Sequence, residues 1–150
     1  MFTIKTIVFS LLAAAAVLAG ELPFTEQDCT GIKIIQNGDF KPVILKATCS
    51  AGEKKHTTCL NLDKCLGMID DGSSHKLFWK KDGGASNHIM KAALKTKFDQ
   101  LSLYAGLTSD KSGVKTYMFF PLESMNEKGE AGITNDASYL YCYGYRGKEC

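Results

Sequence analysis

Six cysteines, three histidines and sixteen acidic residues are the groups in this 150-residue chain with chemistry to offer. Cys49, His56, Cys59 and Cys65 come close enough in sequence to be weighed as a zinc set, but their spacing fits no compact Cys/His finger. A ribonuclease would need a histidine paired with a glutamate or a second histidine, plus cationic phosphate binders. His56, His75 and His88 all stand among polar neighbours, which predicts exposed rings, and Arg146 is the only arginine. Carboxylate pairs for glycoside hydrolysis can be picked from the acids, yet nothing in the pattern fixes two of them across a cleft. Tyr139, Tyr141, Tyr143 and Tyr145 alternate and would share one face of a strand, able either to stack on a ligand ring or to pack a small sheet. No enzyme activity, metal or cofactor is expected from these sets.

The elements that would position such residues centre on residues 59–79. Leu60, Leu62, Cys65, Leu66 and Ile69 recur at spacings of a short helical turn. Asp70-Asp71-Gly72-Ser73-Ser74 is turn chemistry, and Lys76-Leu77-Phe78-Trp79 reads as a strand ending in the only tryptophan. Upstream, Ile32-Lys33-Ile34 and Val43 to Cys49 read as two strands around the turn signal Asn37-Gly38-Asp39. Pairing of those strands would bring Cys29 to Cys49. Residues 50–56 form a polar hairpin or loop, and residues 80–87 form a second polar connection. Residues 88–98 read as helical by composition, with Lys91 to Lys95 on a solvated face. Leu101 to Ala105 and Tyr117 to Phe120 read as strands, with a turn at Lys111-Ser112-Gly113. Residues 133–142 read as a turn and a strand.

Length allows one domain or two small repeats sharing a core. Lys5, the apolar run Ile7 to Leu18 and the small-residue site Val17-Leu18-Ala19 predict a signal peptide over residues 1–19, hence secretion. The even cysteine count then predicts disulfides. A formal charge of +2, with lysines and acids mixed along the chain, argues against nucleic acid or an anionic membrane as partner. Neither a membrane span nor an N-glycosylation sequon is present in the sequence.

A weakened repeat emerges when the halves, about 24–82 and 83–150, are laid side by side. Leu45 to Cys49 matches Leu103 to Leu107, and Leu60 to Cys65 matches Phe120 to Met125. Ile69-Asp70-Asp71 with Leu77-Phe78-Trp79 matches Thr134-Asn135-Asp136 with Leu140-Tyr141-Cys142.

The first half resembles the cyanovirin-N homology family of carbohydrate-binding proteins. The resemblance rests on Cys29, Leu45-Lys46-Ala47-Thr48-Cys49, Leu60-Asn61-Leu62-Asp63, Asp70-Asp71-Gly72 and Leu77-Phe78-Trp79, in order and spacing. It implies a mostly β fold: a pseudo-symmetric tandem repeat of three-stranded sheets and hairpins with short helical turns, disulfide-bonded. The departures are Met68 where the family has asparagine, Asn61 and Asp63 exchanged, and no hairpin cysteines in the second half. Set beside that pattern, Cys65 would reach Cys142, leaving Cys59 for Cys150.

The resemblance also implies one shallow sugar pocket per half, built of side chains that donate to and accept from hydroxyls. One would use Gln27, Asp28, Ser50, Asn135 and Asp136. The other would use Asp70 and Asp71, faced by Thr108, Ser109 and Asp110. Glycans containing mannose, glucose or N-acetylglucosamine are the implied ligands. The alternative is a secreted effector-like protein that keeps the scaffold and binds a partner protein. A monomer or a domain-swapped dimer is expected, with exchange at residues 80–87.

Overall fold

The computed structural model describes residue 24 and residues 28–71, 74–108 and 115–150. The signal-peptide reading, Gln27, Ser109-Asp110 and the turn at residues 111–113 lie outside the described residues. The described chain is mostly β, built as several small antiparallel sheets tied by three disulfides.

Strands β1 (Cys29–Ile35), β2 (Ile44–Ala51) and β3 (Lys54–Asn61) form an antiparallel meander. Period-two alternation sets its two faces: Leu45, Ala47 and Cys49 are buried, while Lys46, Thr48 and Ser50 point the other way. Cys29 stands opposite Cys49 and is bonded to it.

A 3₁₀ turn, Leu62–Lys64, follows β3. Asn61 caps it by accepting from the Asp63 N–H at 3.0 Å. The Asp63 carboxylate accepts from the Ser86 N–H at 2.7 Å and the Ser86 hydroxyl at 2.6 Å, fixing the connection between the halves. The helical reading holds only for this turn. Residues from Leu66 onward form β4 (Leu66–Asp70), paired with β5 (His75–Trp79). The reversal at Cys65 turns both Leu62 and Leu66 inward, which imitates a helical spacing in the sequence.

After a second 3₁₀ turn, Ala85–His88, a second meander follows: β6 (Ile89–Lys97), β7 (Gln100–Thr108) and β8 (Lys115–Pro121). The expected helix over residues 88–98 is therefore a strand. Ala and Lys favour helix locally, but pairing along β7 and burial of Ile89 outweigh that weak preference.

The chain closes with β9 (Thr134–Asp136), β10 (Tyr139–Cys142), β11 (Tyr145–Arg146) and β12 (Lys148–Glu149). The first three form one sheet, and β12 pairs with β3 to make the first meander four-stranded. The alternating tyrosines do not share one strand face. Tyr143 and Gly144 take positive φ and turn the chain, so Tyr141 faces Arg146 and Cys142 faces Tyr145.

Element order, three strands and then a hairpin, thus occurs twice. Parallel backbone contacts accompany it: Leu62 N–H donates to the Val43 carbonyl at 2.9 Å, and Leu122 N–H donates to the Leu101 carbonyl at 2.9 Å. Between the series lies the core, with Trp79 edge-on to Phe120 and donating its indole N–H to Ser124 at 2.9 Å. Cys65–Cys142 and Cys59–Cys150 tie the first series to the closing strands. With Cys49, Cys59 and Cys65 all in disulfides, the zinc set weighed from sequence has no thiolates to offer.

Candidate functional site

Register fixes what each closing hairpin presents. In β4–β5, Met68 lies opposite Leu77; in β9–β10, Asn135 lies opposite Leu140. Each leucine donates its backbone N–H to a side chain of the other series, Leu77 to the Met118 sulfur at 3.3 Å and Leu140 to the Thr58 hydroxyl at 3.2 Å. By this register the counterpart of Asn135 is Met68, and Asp70 lies two residues nearer the turn.

Around Asn135 three of the predicted residues meet. Its side-chain amide donates to the Ser50 carbonyl at 2.9 Å, and the Ser50 N–H donates to the Asp28 carbonyl at 3.2 Å. Asp28 is exposed with φ of 59°, so its side chain projects from a left-handed corner. Asp136 is exposed beside them, 3.9 Å from the Arg146 guanidinium through its carboxylate. The Asp136 carbonyl accepts from the same guanidinium at 3.3 Å.

The tight turn after Asp136 opens onto a groove of about 670 Å³, lined by Ala51, Glu53, Lys54, His56, Ala137, Tyr139 and Arg146. His56 stacks on Tyr139 with ring centres 4.7 Å apart, and the Arg146 guanidinium lies 4.1 Å from the Tyr139 ring centre. Glu149 holds the stack from outside: its carboxylate is 2.7 Å from His56 Nδ1 and accepts from the Tyr139 hydroxyl at 2.9 Å. The Tyr139 hydrogen bond and then the His56 contact keep the Glu149 carboxyl below its usual range. The same bond to Glu149 raises the phenol of Tyr139. The groove therefore offers a cation, a carboxylate and a phenol hydroxyl around a Tyr139 ring whose faces His56 and Arg146 occupy.

The second predicted set differs. Asp70 points at buried His75, carboxylate to Nε2 at 3.4 Å, and the other ring nitrogen of His75 lies 3.1 Å from the Thr116 hydroxyl. His75 is thus buried against the expectation of an exposed ring, because the β4–β5 pairing packs it onto β8. Asp71 accepts from the Ser74 N–H at 2.6 Å and hydroxyl at 2.9 Å, closing its own turn. Both carboxylates are engaged in the hairpin.

His56, Glu53 and Arg146 were not among the predicted site residues. Arg146 reaches the groove only because the turn at Tyr143-Gly144 folds β11 onto β10. A second concavity of about 370 Å³, lined in part by Lys81, Asn126, Glu130, Tyr141 and Tyr143, contains none of the residues that the cyanovirin resemblance assigns to sugar binding. Comparison with protein-family models, with curated proteins and with solved structures finds no match to this chain.

Proposed function

We propose that this chain is an extracellular, non-catalytic carbohydrate-binding protein on a cyanovirin-N-like scaffold. It would hold a glycan at the Asn135–Ser50 corner and in the groove beside it. The observation that carries this reading is the arrangement there: Asn135 held by Ser50, Asp136 exposed, and the Tyr139 ring flanked by His56 and Arg146. Such a surface supplies charged donors and acceptors for the hydroxyls of a pyranose, set around a Tyr139 ring that His56 and Arg146 hold in place. The twofold recurrence of meander and hairpin supports the scaffold, and three disulfides are compatible with an oxidising compartment.

Affinity of one such shallow site is modest, and only a second site on the same molecule would raise it by multivalency. Met68 in the Asn135 position and the engaged Asp70 and Asp71 favour a single neutral-sugar site. The same departure supports the second reading, a scaffold turned to a partner protein.

A glycan array with the mature protein separates the two. Binding to mannose, glucose or N-acetylglucosamine glycans, lost in Asn135→Ala/Asp136→Ala and in Tyr139→Ala, supports the lectin. Absence of binding to every neutral glycan refutes it.

A further inference from the structure

Lysines and acids are mixed along the sequence, but the fold gathers several lysines on one face. Cross-strand register places Lys91, Lys95 and Lys97 of β6 on one face with Tyr104 of β7 and Tyr117 and Phe119 of β8, and Lys115 lies opposite Thr108 at its end. Leu103, Ala105, Leu107 and Phe120 occupy the other face and are buried in the core. Among the described residues no acidic residue stands at the paired positions of the outer face; Asp99 sits in the turn beyond it, and the Glu123 carboxylate accepts from the Leu101 N–H at 3.1 Å at the end of β7.

The rings and cations on this face are organised together. Tyr104 stacks on Tyr117 at 5.9 Å and lies 4.9 Å from Phe119. The Lys95 ammonium sits 4.1 Å from the Tyr104 ring centre and the Lys97 ammonium 4.6 Å from that of Phe119. Gly106 leaves the space that the Tyr117 ring fills: a Cβ there would come within 2.9 Å of it. Tyr117 is nevertheless 60 % exposed, and Phe98 at the β6–β7 turn is 87 % exposed. Lys91 to Lys97 spans about 20 Å along the strand, and β6 to β8 about 10 Å across, dimensions of an extended chain rather than a single small ligand.

We infer that this outer face binds an extended, unsulfated uronic-acid polysaccharide. Charge complementarity requires a polyanion, and the rings require flat apolar surfaces between its charges. A uronate residue meets both needs, since its one carboxylate lies at the ring edge and leaves ring C–H groups to pack on the exposed Tyr117. Heavily sulfated chains surround each ring with several further charges, which the apolar rings of this face would have to desolvate. The face lies on β6–β8, apart from the Asn135 groove, so the inference stands independently of the neutral-sugar reading.

The test is titration of the full chain with a polygalacturonate oligosaccharide at low salt, alongside heparin oligosaccharide, an oligothymidylate and a neutral glucan. Expected is preferential binding to polygalacturonate that weakens with salt and falls roughly tenfold or more in Lys95→Gln/Lys97→Gln at unchanged thermal midpoint, and in Tyr117→Ser at a temperature where that variant is still folded. Asn135→Ala should leave it intact. Lysine acetylation of the unaltered protein gives a second readout: the oligosaccharide should protect Lys91, Lys95 and Lys97 but leave Lys54 and Lys128 reactive. Equal or tighter binding of oligothymidylate or heparin, or protection elsewhere, overturns the proposal.

Discussion

Asn135 and Ser50, 85 positions apart in the chain, are joined at 2.9 Å from side-chain amide to backbone carbonyl. This bond fastens the last hairpin to the end of the first meander and sets one wall of the candidate groove. Asn135→Ala should lower unfolding free energy by about 1–2 kcal/mol, the cost of a partly buried acceptor left unpaired. Asn135→Asp should cost at least as much, because it sets a carboxylate against a carbonyl oxygen. Denaturant titration measures both; an aspartate variant as stable as the native protein would refute the donor assignment.

Gly132 packs against the indole of Trp79 so closely that a Cβ would lie 2.2 Å from its ring. Gly132→Ala must displace a buried tryptophan wedged between Phe120 and Ser124, and should cost about 1–3 kcal/mol. Trp79 is the only tryptophan, so its fluorescence reports the displacement directly. Gly129→Ala, where a Cβ meets open space but φ is 76°, tests backbone strain alone and should leave the emission unchanged.

Lys64, Asp82 and Tyr145 form an exposed cluster bridging the connection after β5 to β11. Lys64 donates to Asp82 at 2.9 Å, and the Tyr145 hydroxyl donates to the other oxygen of the same carboxylate. Asp82 is held below its usual range by the Lys64 hydrogen bond first and the Tyr145 bond second. Its contribution is present at neutral pH and lost as pH falls through the lowered folded-state value. Lys64 and Tyr145 are both raised, chiefly by their bonds to Asp82, so their contributions hold in neutral solution and are lost as pH rises through the raised values. The stability difference between native protein and Asp82→Asn should therefore be largest near neutrality and shrink toward both acid and strong alkali. A difference independent of pH would contradict this.

The three disulfides should not be equal in effect. Cys29–Cys49 spans 20 positions, while Cys65–Cys142 spans 77 and Cys59–Cys150 spans 91. By loop-closure entropy, replacing both cysteines of the first bridge by alanine costs about 3 kcal/mol, and of either long bridge about 4–5 kcal/mol. Cys65→Ala/Cys142→Ala should be the most damaging, since both residues are also buried in the core. Thermal unfolding of the three double variants checks the order.

Local signals made much of the fold legible. Asn37-Gly38-Asp39 between apolar runs announced the β1–β2 pairing, and that pairing brought Cys29 to Cys49. Alternation in Leu101 to Ala105 announced β7. Composition misled at β6, where lysines and alanines that favour helix are held in a strand by partners on β7. His75 looked exposed because its polar neighbours lie next to it in sequence, whereas its packing partner Thr116 comes from β8. The groove was least legible. Ser50, Asn135 and Asp136 were foreseen, but His56 and Arg146 join Tyr139 only after β11 folds back and β12 docks on β3. A clue was available in the Tyr143-Gly144 pair, whose turn chemistry breaks the tyrosine alternation and returns Arg146 alongside Tyr141.

Both long bridges cross the connection at residues 80–87, joining Cys59 and Cys65 on one side to Cys150 and Cys142 on the other. A protease that cut this connection would release nothing: the two fragments would travel as one particle until a reductant parted them. Exchange of halves between two copies would likewise make both bridges intermolecular, so a swapped pair would be a covalently interlocked species that dilution cannot dissolve. In this architecture the oligomeric history of each molecule is recorded in sulfur and can be read from its mobility with and without thiol.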